Sequence, residues 1–446
     1  MAKEARHNAD NAREIRRKRR IRNQIIAYLV LVILLAGIGY GGYMGVRYLY
    51  GKFAKPQEQV QVSENDTQVS ENEPGIITTP TDITASENET VSENTTEEVS
   101  ANAAVMEYIA SMTIEQKVAN LFIVTPESIT GVGMATQAGD GTRTALSEYA
   151  VGGLVYAGRN ILDSEQFKTL TTTTQSMYEE MYGAPVWIVV QEEGATNVIA
   201  GSAAGVTSVQ AAGDIGTSGD TGNAYQAYIT IGSYLNEYGV NMNLGPVCDV
   251  ATNPEGYIGN RSFNSDADIV ASMVRTAVDA QREQGIVTCL TAFPGQGESA
   301  VNPINGVATT DKTLDDMRTC EFLPFQAGIE EGAQVIMMSH IVAQNADSAG
   351  VPSSLSTVMI QDVLRNELGF SGVIITDYMD KAAITGTYDS GEAAVMAINA
   401  GADMILRPEN FEEAYQAVLD AVQEGTILEE RIDESLVRIY SIKLAE

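Results

Sequence analysis

The hydrophobic pattern divides the chain at about residue 104. Beyond that point short apolar runs alternate with stretches of helical spacing. The runs are 121–124, 153–156, 186–190, 240–244, 286–290, 335–339, 373–376 and 403–406. Several are rich in Val and Ile and apolar at every position, which suits strands buried on both faces, as parallel strands are. Between them, 266–283, 314–331 and 355–368 carry helical periodicity. Eight strands with helical crossovers in about 340 residues predict an α/β fold, a (β/α)8 TIM-type barrel. An open doubly wound sheet is the competing architecture. No G-x-G-x-x-G or P-loop follows a strand, so nucleotide binding lacks support.

Before residue 104 the pattern is different. Residues 24–47 are apolar almost throughout, without a charge from Ile25 to Val46, and a helix of that length spans a bilayer. Residues 1–23 form a basic arm around Arg16-Arg17-Lys18-Arg19-Arg20, and Tyr40, Tyr43, Tyr48 and Tyr50 gather at the other end. Cations stay on the cytoplasmic side and aromatic belts mark interfaces, so the expectation is a single-pass membrane anchor with the C-terminal bulk outside the cell. A cleaved signal peptide is the alternative. The run is long for one, and no Ala-x-Ala site follows it. Residues 48–104 are a low-complexity tether in which Ser-Glu-Asn recurs, as in Val62-Ser63-Glu64-Asn65 and Val91-Ser92-Glu93-Asn94. Such a segment buries too little apolar surface to fold, and its acidic residues extend it. Residues 105–446 are then the barrel domain.

Charge sharpens the division. Residues 1–56 hold 12 of the 27 Lys and Arg but only 3 of the 59 acidic residues, so the remainder carries about −41. That acidity excludes nucleic acid as a partner, because phosphate binding needs clustered cations. It keeps an exported protein soluble. Three cysteines without C-x-x-C spacing, and histidines only at 7 and 340, predict no metal site and no cofactor.

Polar residues stand just past the strand runs: Gln191, Glu192, Asp249, His340 and Asp377, with Arg261 a little downstream. Barrels of this kind place their chemistry at strand C-termini. A fixed carboxylate there is what a retaining glycosidase needs as nucleophile. Each residue also has an ordinary reading. Asp377 could cap the helix that follows. Asp249 could fix a loop, His340 could be a hydrogen-bonded rim residue, and Arg261 could pair with a local carboxylate.

Residues 115–445 resemble glycoside hydrolase family 3, in its single-domain β-N-acetylhexosaminidase branch. The resemblance rests on Val151-Gly152-Gly153-Leu154-Val155, Gly239 to Val250, Gly259-Asn260-Arg261-Ser262-Phe263, Phe293-Pro294-Gly295, Leu364 to Phe370, and Gly372 to Asp377 running on to Ala383-Ile384. It implies a TIM barrel, a carbohydrate ligand, Asp377 as nucleophile, and Asp249, Arg261 and His340 on the sugar-binding rim beside Glu192. The departures are pointed. The family's Asp-Gln-Glu-Gly-Gly-Arg is here Val190-Gln191-Glu192-Glu193-Gly194-Ala195. Its Lys-His is Thr291-Ala292, and its acid/base Asp-Ser-His is Asn302-Pro303-Ile304. Glu298 is the nearest carboxylate to that loop and is the candidate substitute acid, with a solvated loop glutamate as the plainer reading. Two functions of different class follow: an anchored extracellular glycosidase, or a barrel that binds cell-wall glycan or a protein partner without turnover.

Overall fold

The computed structural model describes residues 102–195, 199–203 and 209–445. The basic arm, the apolar span and nearly all of the tether lie outside them. Among the described residues no helix is long and apolar enough to cross a membrane.

Eight parallel strands form the central sheet. They are β1 (Phe122–Val124), β2 (Gly153–Val155), β3 (Trp187–Val190), β4 (Met242–Asn243), β5 (Val287–Phe293), β6 (Val335–Met338), β7 (Val373–Thr376) and β8 (Ile405–Leu406). Neighbours in sequence are neighbours in space from β1 to β7, and β8 pairs back onto β1 with Phe122 opposite Ile405. A parallel bridge between Ile375 and Met404 joins β7 to β8 and closes the ring. Every expected strand is present, and the open sheet is excluded by that closure. The strands are buried on both faces, which is why they read as continuous apolar runs rather than alternating ones.

The helices begin where the sequence places short polar acceptors. Asp163 accepts from the Gln166 N–H ahead of Ser164–Tyr182, and Asp266 from Asp268 and Ile269 ahead of Ala267–Glu283. The helix expected over 314–331 is instead two, Leu314–Arg318 and Phe322–Glu330. Pro324 explains the break. It has no N–H and its ring clashes with the carbonyl four residues back, so it is tolerated only in the first turn of a new helix. The 355–368 stretch divides similarly, into a 3₁₀ turn Ser353–Leu355 and a π-form helix Val358–Glu367.

At the N-terminal end of β8, Asp403 is completely buried and serves structure. Its oxygens accept from Arg365 (2.6 Å), the Ile374 N–H (2.8 Å), Ser435 (2.8 Å) and Arg438 (2.9 Å). This cluster locks that end of the barrel. The opposite end, where the strands finish, is open.

Candidate active site

The strand C-termini surround a cavity of about 820 Å³, inside the range of roughly 300–1,000 Å³ usual for small-molecule sites. Asp377, one residue past β7, sits on its wall and is 2% exposed. Its backbone N–H donates to the Met338 carbonyl (2.8 Å), which continues the ladder with β6 by one step. One carboxylate oxygen accepts from the Tyr378 N–H (2.7 Å) and the other from Lys381 Nζ (2.6 Å). The next helix starts at Ala382, with Lys381 in the cap position. Asp377 therefore caps no helix. Burial pushes its pKa up, but Lys381, by charge and by hydrogen bond, and then the Tyr378 N–H outweigh that, and the carboxyl is held below its ordinary value.

His340 is completely buried and lies behind this wall, not on it. Its Nε2 is 2.9 Å from the Tyr378 carbonyl and its Nδ1 is 2.8 Å from Ser354 Oγ. A carbonyl only accepts, so Nε2 carries the proton. Burial lowers the ring's pKa, so it is neutral and Nδ1 accepts from the serine. The ring fixes the turn that presents Asp377, and both its nitrogens are occupied.

Asp249 and Arg261 reach the cavity from the segment after β4. Asp249 Oδ1 accepts from the Gln296 N–H (2.6 Å). Burial pushes the Asp249 carboxyl up to about 7, with nearby Glu193 and Asp377 adding to the rise against the pull of that N–H and of Arg261. Arg261 grips Glu193 through two bonds, Nε to Oε2 and Nη2 to Oε1, each 2.7 Å. Glu193 also accepts from Gln191 Nε2 (2.6 Å).

The expectation for Glu192 is out of phase by one residue. Side chains alternate in extended chain, so Gln191 lines the mouth with Glu193 on the same side, bonded behind it to Gln191 and Arg261, and Glu192 turns away. Glu192 is completely buried, does not line the cavity, and accepts the Ile199 and Ala200 N–H groups (3.0 and 2.9 Å). Glu298 also misses the cavity. Its carboxylate accepts from the Thr310 hydroxyl, and its carbonyl from Asn253 Nδ2 (3.0 Å). The loop that carries it does reach the mouth, where Gln296, Asn302 and Ile304 form part of the wall. Two backbone features set its course. A Cβ on Gly297 would stand 1.7 Å from the Val250 carbonyl oxygen, so only glycine permits that approach. Further on, the Ala383 N–H donates to the Pro303 carbonyl (3.0 Å).

Four contributors were not singled out from sequence. Glu193 and Lys381 hold the two key charges. Tyr257 donates its hydroxyl to Gln296 Oε1. Arg407 pairs with Asp380 (2.8 Å) and lies over the Tyr378 ring at 4.2 Å, on a left-handed backbone (φ 47°) unusual for a non-glycine residue. Alternation after β3 could have revealed Glu193, whereas no sequence signal marks Lys381, whose contact with Asp377 is made across an irregular turn. Among the described residues no group of three or more His, Cys, Asp and Glu side chains could hold a metal.

Known proteins share this fold. The family profile described as Glycosyl hydrolase family 3 N terminal domain matches residues 113–442. A protein of Pseudoalteromonas piscicida named beta-hexosaminidase A is 28% identical over 328 residues, 67% of this chain and 54% of that protein. A beta-hexosaminidase of Stenotrophomonas maltophilia is 30% identical over 284 residues, 62% of this chain and 82% of that one. Among solved structures, a family 3 beta-N-acetylglucosaminidase from Paenibacillus superposes with a TM-score of 0.71 at 32% identity, covering 75% of this chain and 62% of its own. The chain thus spans about half to two thirds of the first and last of these relatives. With the barrel closed and the match running through β1 to β8, the chain belongs to glycosyl hydrolase family 3.

Proposed function

We propose that the protein is a membrane-anchored extracellular glycosidase that hydrolyses β-linked hexosaminides by a retaining mechanism, with Asp377 as nucleophile. One observation carries the reading: a carboxylate kept ionised by Lys381 in the wall of a sugar-sized cavity at the strand C-termini. The names of the relatives support hexosaminides as the substrate class. The Asp377 carboxylate attacks the anomeric carbon and the glycosidic C–O bond breaks. Water then displaces the carboxylate and restores the anomeric configuration. The leaving oxygen needs a proton in the first step, and general acids contribute about 10²–10⁴-fold. Asn302 and Ile304, at the mouth, carry no such proton. The first step is therefore fastest for aglycones that depart as stable anions. Anchoring outside the cell rests on the uncharged run from Ile25 to Val46 and its basic flank.

The second reading, glycan binding without turnover, is favoured by the same loop and by Glu298 being tied to Thr310. A panel of dinitrophenyl and alkyl β-glycosides separates the two. Turnover of the dinitrophenyl sugars that Asp377→Ala abolishes supports the hydrolase. Rates equal to that variant on every sugar, together with retained glycan binding, support the binder. Digestion of the barrel by protease added to intact cells tests the anchor, and full protection refutes it.

A further inference from the structure

The charges around the cavity are not evenly answered. Lys381 is bonded to Asp377, Arg261 to Glu193, and Arg407 to Asp380. Among the buried ones Asp249 is the exception. It is 2% exposed, it lines the cavity, and its Oδ1 takes one backbone N–H. No hydrogen bond reaches its Oδ2 among the described residues, and no cation touches it. The cation nearest in effect, Arg261, has its guanidinium fork committed to Glu193. A buried carboxylate at a cavity wall without a counter-ion is costly, and that cost falls when a ligand brings one.

We infer that Asp249 is a recognition site for a cationic amino group on the sugar, so that the cavity takes a hexosamine with a free amine in preference to its N-acetylated form. This rests on the family 3 reading of the cavity and narrows its substrate class. A carboxylate accepts three-donor ammonium groups through charge-assisted bonds. An acetamide offers a single N–H and no charge, and adds a carbonyl that an ionised Asp249 cannot satisfy. Glu193 makes the preference possible: by occupying Arg261, it leaves Asp249 without a partner of opposite charge among the described residues. Burial already pushes Asp249 up to about 7, as expected of a carboxylate lacking its cation. The groups facing it are Arg261, Glu193, Asp377 and the Tyr257 hydroxyl.

The test is calorimetric titration of the purified full chain with glucosamine and with N-acetylglucosamine at pH 7.5. Glucosamine should bind at least tenfold more tightly. Asp249→Asn keeps the Oδ1 acceptor for Gln296 but removes the charge, and should erase the preference by roughly 10–100-fold, the range for a hydrogen bond to a charged group. Should that variant fail to fold, Glu193→Gln serves instead. It frees Arg261 to answer Asp249, so the preference should shrink. Equal or tighter N-acetylglucosamine binding, no binding of either sugar, or a preference untouched in a folded variant each overturns the inference. The hydrolase reading is judged separately, by turnover against Asp377→Ala. Amine-selective binding without turnover sinks that reading alone, and turnover without amine selectivity sinks this one alone.

Discussion

Replacing Lys381 with Met should make stability depend on pH in a way that identifies the ion pair. The methionine keeps the apolar stem and removes the ammonium 2.6 Å from Asp377. The two side chains are 16% and 3% exposed, so solvent screens the pair little. A hydrogen bond to a charged group contributes about 1.5–3 kcal/mol. Loss of the cation also strands a buried carboxylate, which removes more, up to the point at which Asp377 protonates. From its ordinary value of 3.8, neutralising it at pH 7 sets a ceiling of about 4 kcal/mol. The expected loss at pH 7 is therefore about 2–4 kcal/mol, several degrees in Tm. The sign with pH follows from the depressed pKa. Stability from Asp377 is complete above its unfolded value and is lost as pH falls through the lower folded value. Thermal unfolding of both proteins should show a wide gap at pH 7 that closes as the pH falls below the ordinary carboxyl value of 3.8. A gap of the same size at both ends, or none at pH 7, refutes the pairing argument. Turnover of an activated glycoside gives a second readout, because the variant's rising pH limb should move upward.

Two other perturbations probe different parts of the barrel. Lys443 is buried, donates to the Gly152 carbonyl (2.7 Å), and faces Trp187 and Tyr440 at 5.2 Å, while burial lowers its pKa to about 7. The unfolded chain binds a proton here that the folded one releases, so stability should rise between about pH 7 and 10, by at most about 1.4 kcal/mol per unit. Lys443→Met should remove that slope in urea unfolding, and parallel curves for the two proteins would refute it. At the mouth, Ile304 is 59% exposed, so Ile304→Glu should cost under about 0.5 kcal/mol. It should raise turnover of alkyl relative to dinitrophenyl glycosides by tenfold or more. An unchanged ratio would show that this position is not beside the leaving group.

The strands were legible because burial on both faces leaves no polar position to obscure them, and one carboxylate at the end of β7 stood out against that background. Direction was less legible. Glu192, His340 and Glu298 are polar residues in plausible places, yet each turns its side chain into the fold: onto the 199–200 turn, the Tyr378 carbonyl and Thr310. Sequence gives a residue's place along a strand end. Which way it points depends on pleat phase and on the loops packed beneath. Lys381 was missed for the related reason that its contact is made across an irregular turn, not along a helix face where spacing alone would pair it with Asp377.

The loop after β5 and the Glu193–Arg261 pair together set what the cavity wall offers a ligand. The loop after β5 still reaches the mouth, fixed by Gly297 against Val250 and by Pro303 against Ala383. The side chains it delivers to the wall there, Asn302 and Ile304, carry no titratable proton. Glu193 is buried with Arg261 gripped in two bonds. A carboxylate put into that position without a cation would destabilise the barrel by several kcal/mol, so Glu193 and Arg261 act as a unit. That unit withdraws Arg261 from Asp249 and leaves one carboxylate exposed to whatever fills the cavity. An unpaired buried charge costs stability. The cavity holds Asp377 paired and Asp249 unpaired, and the unpaired group is where a ligand's charge belongs.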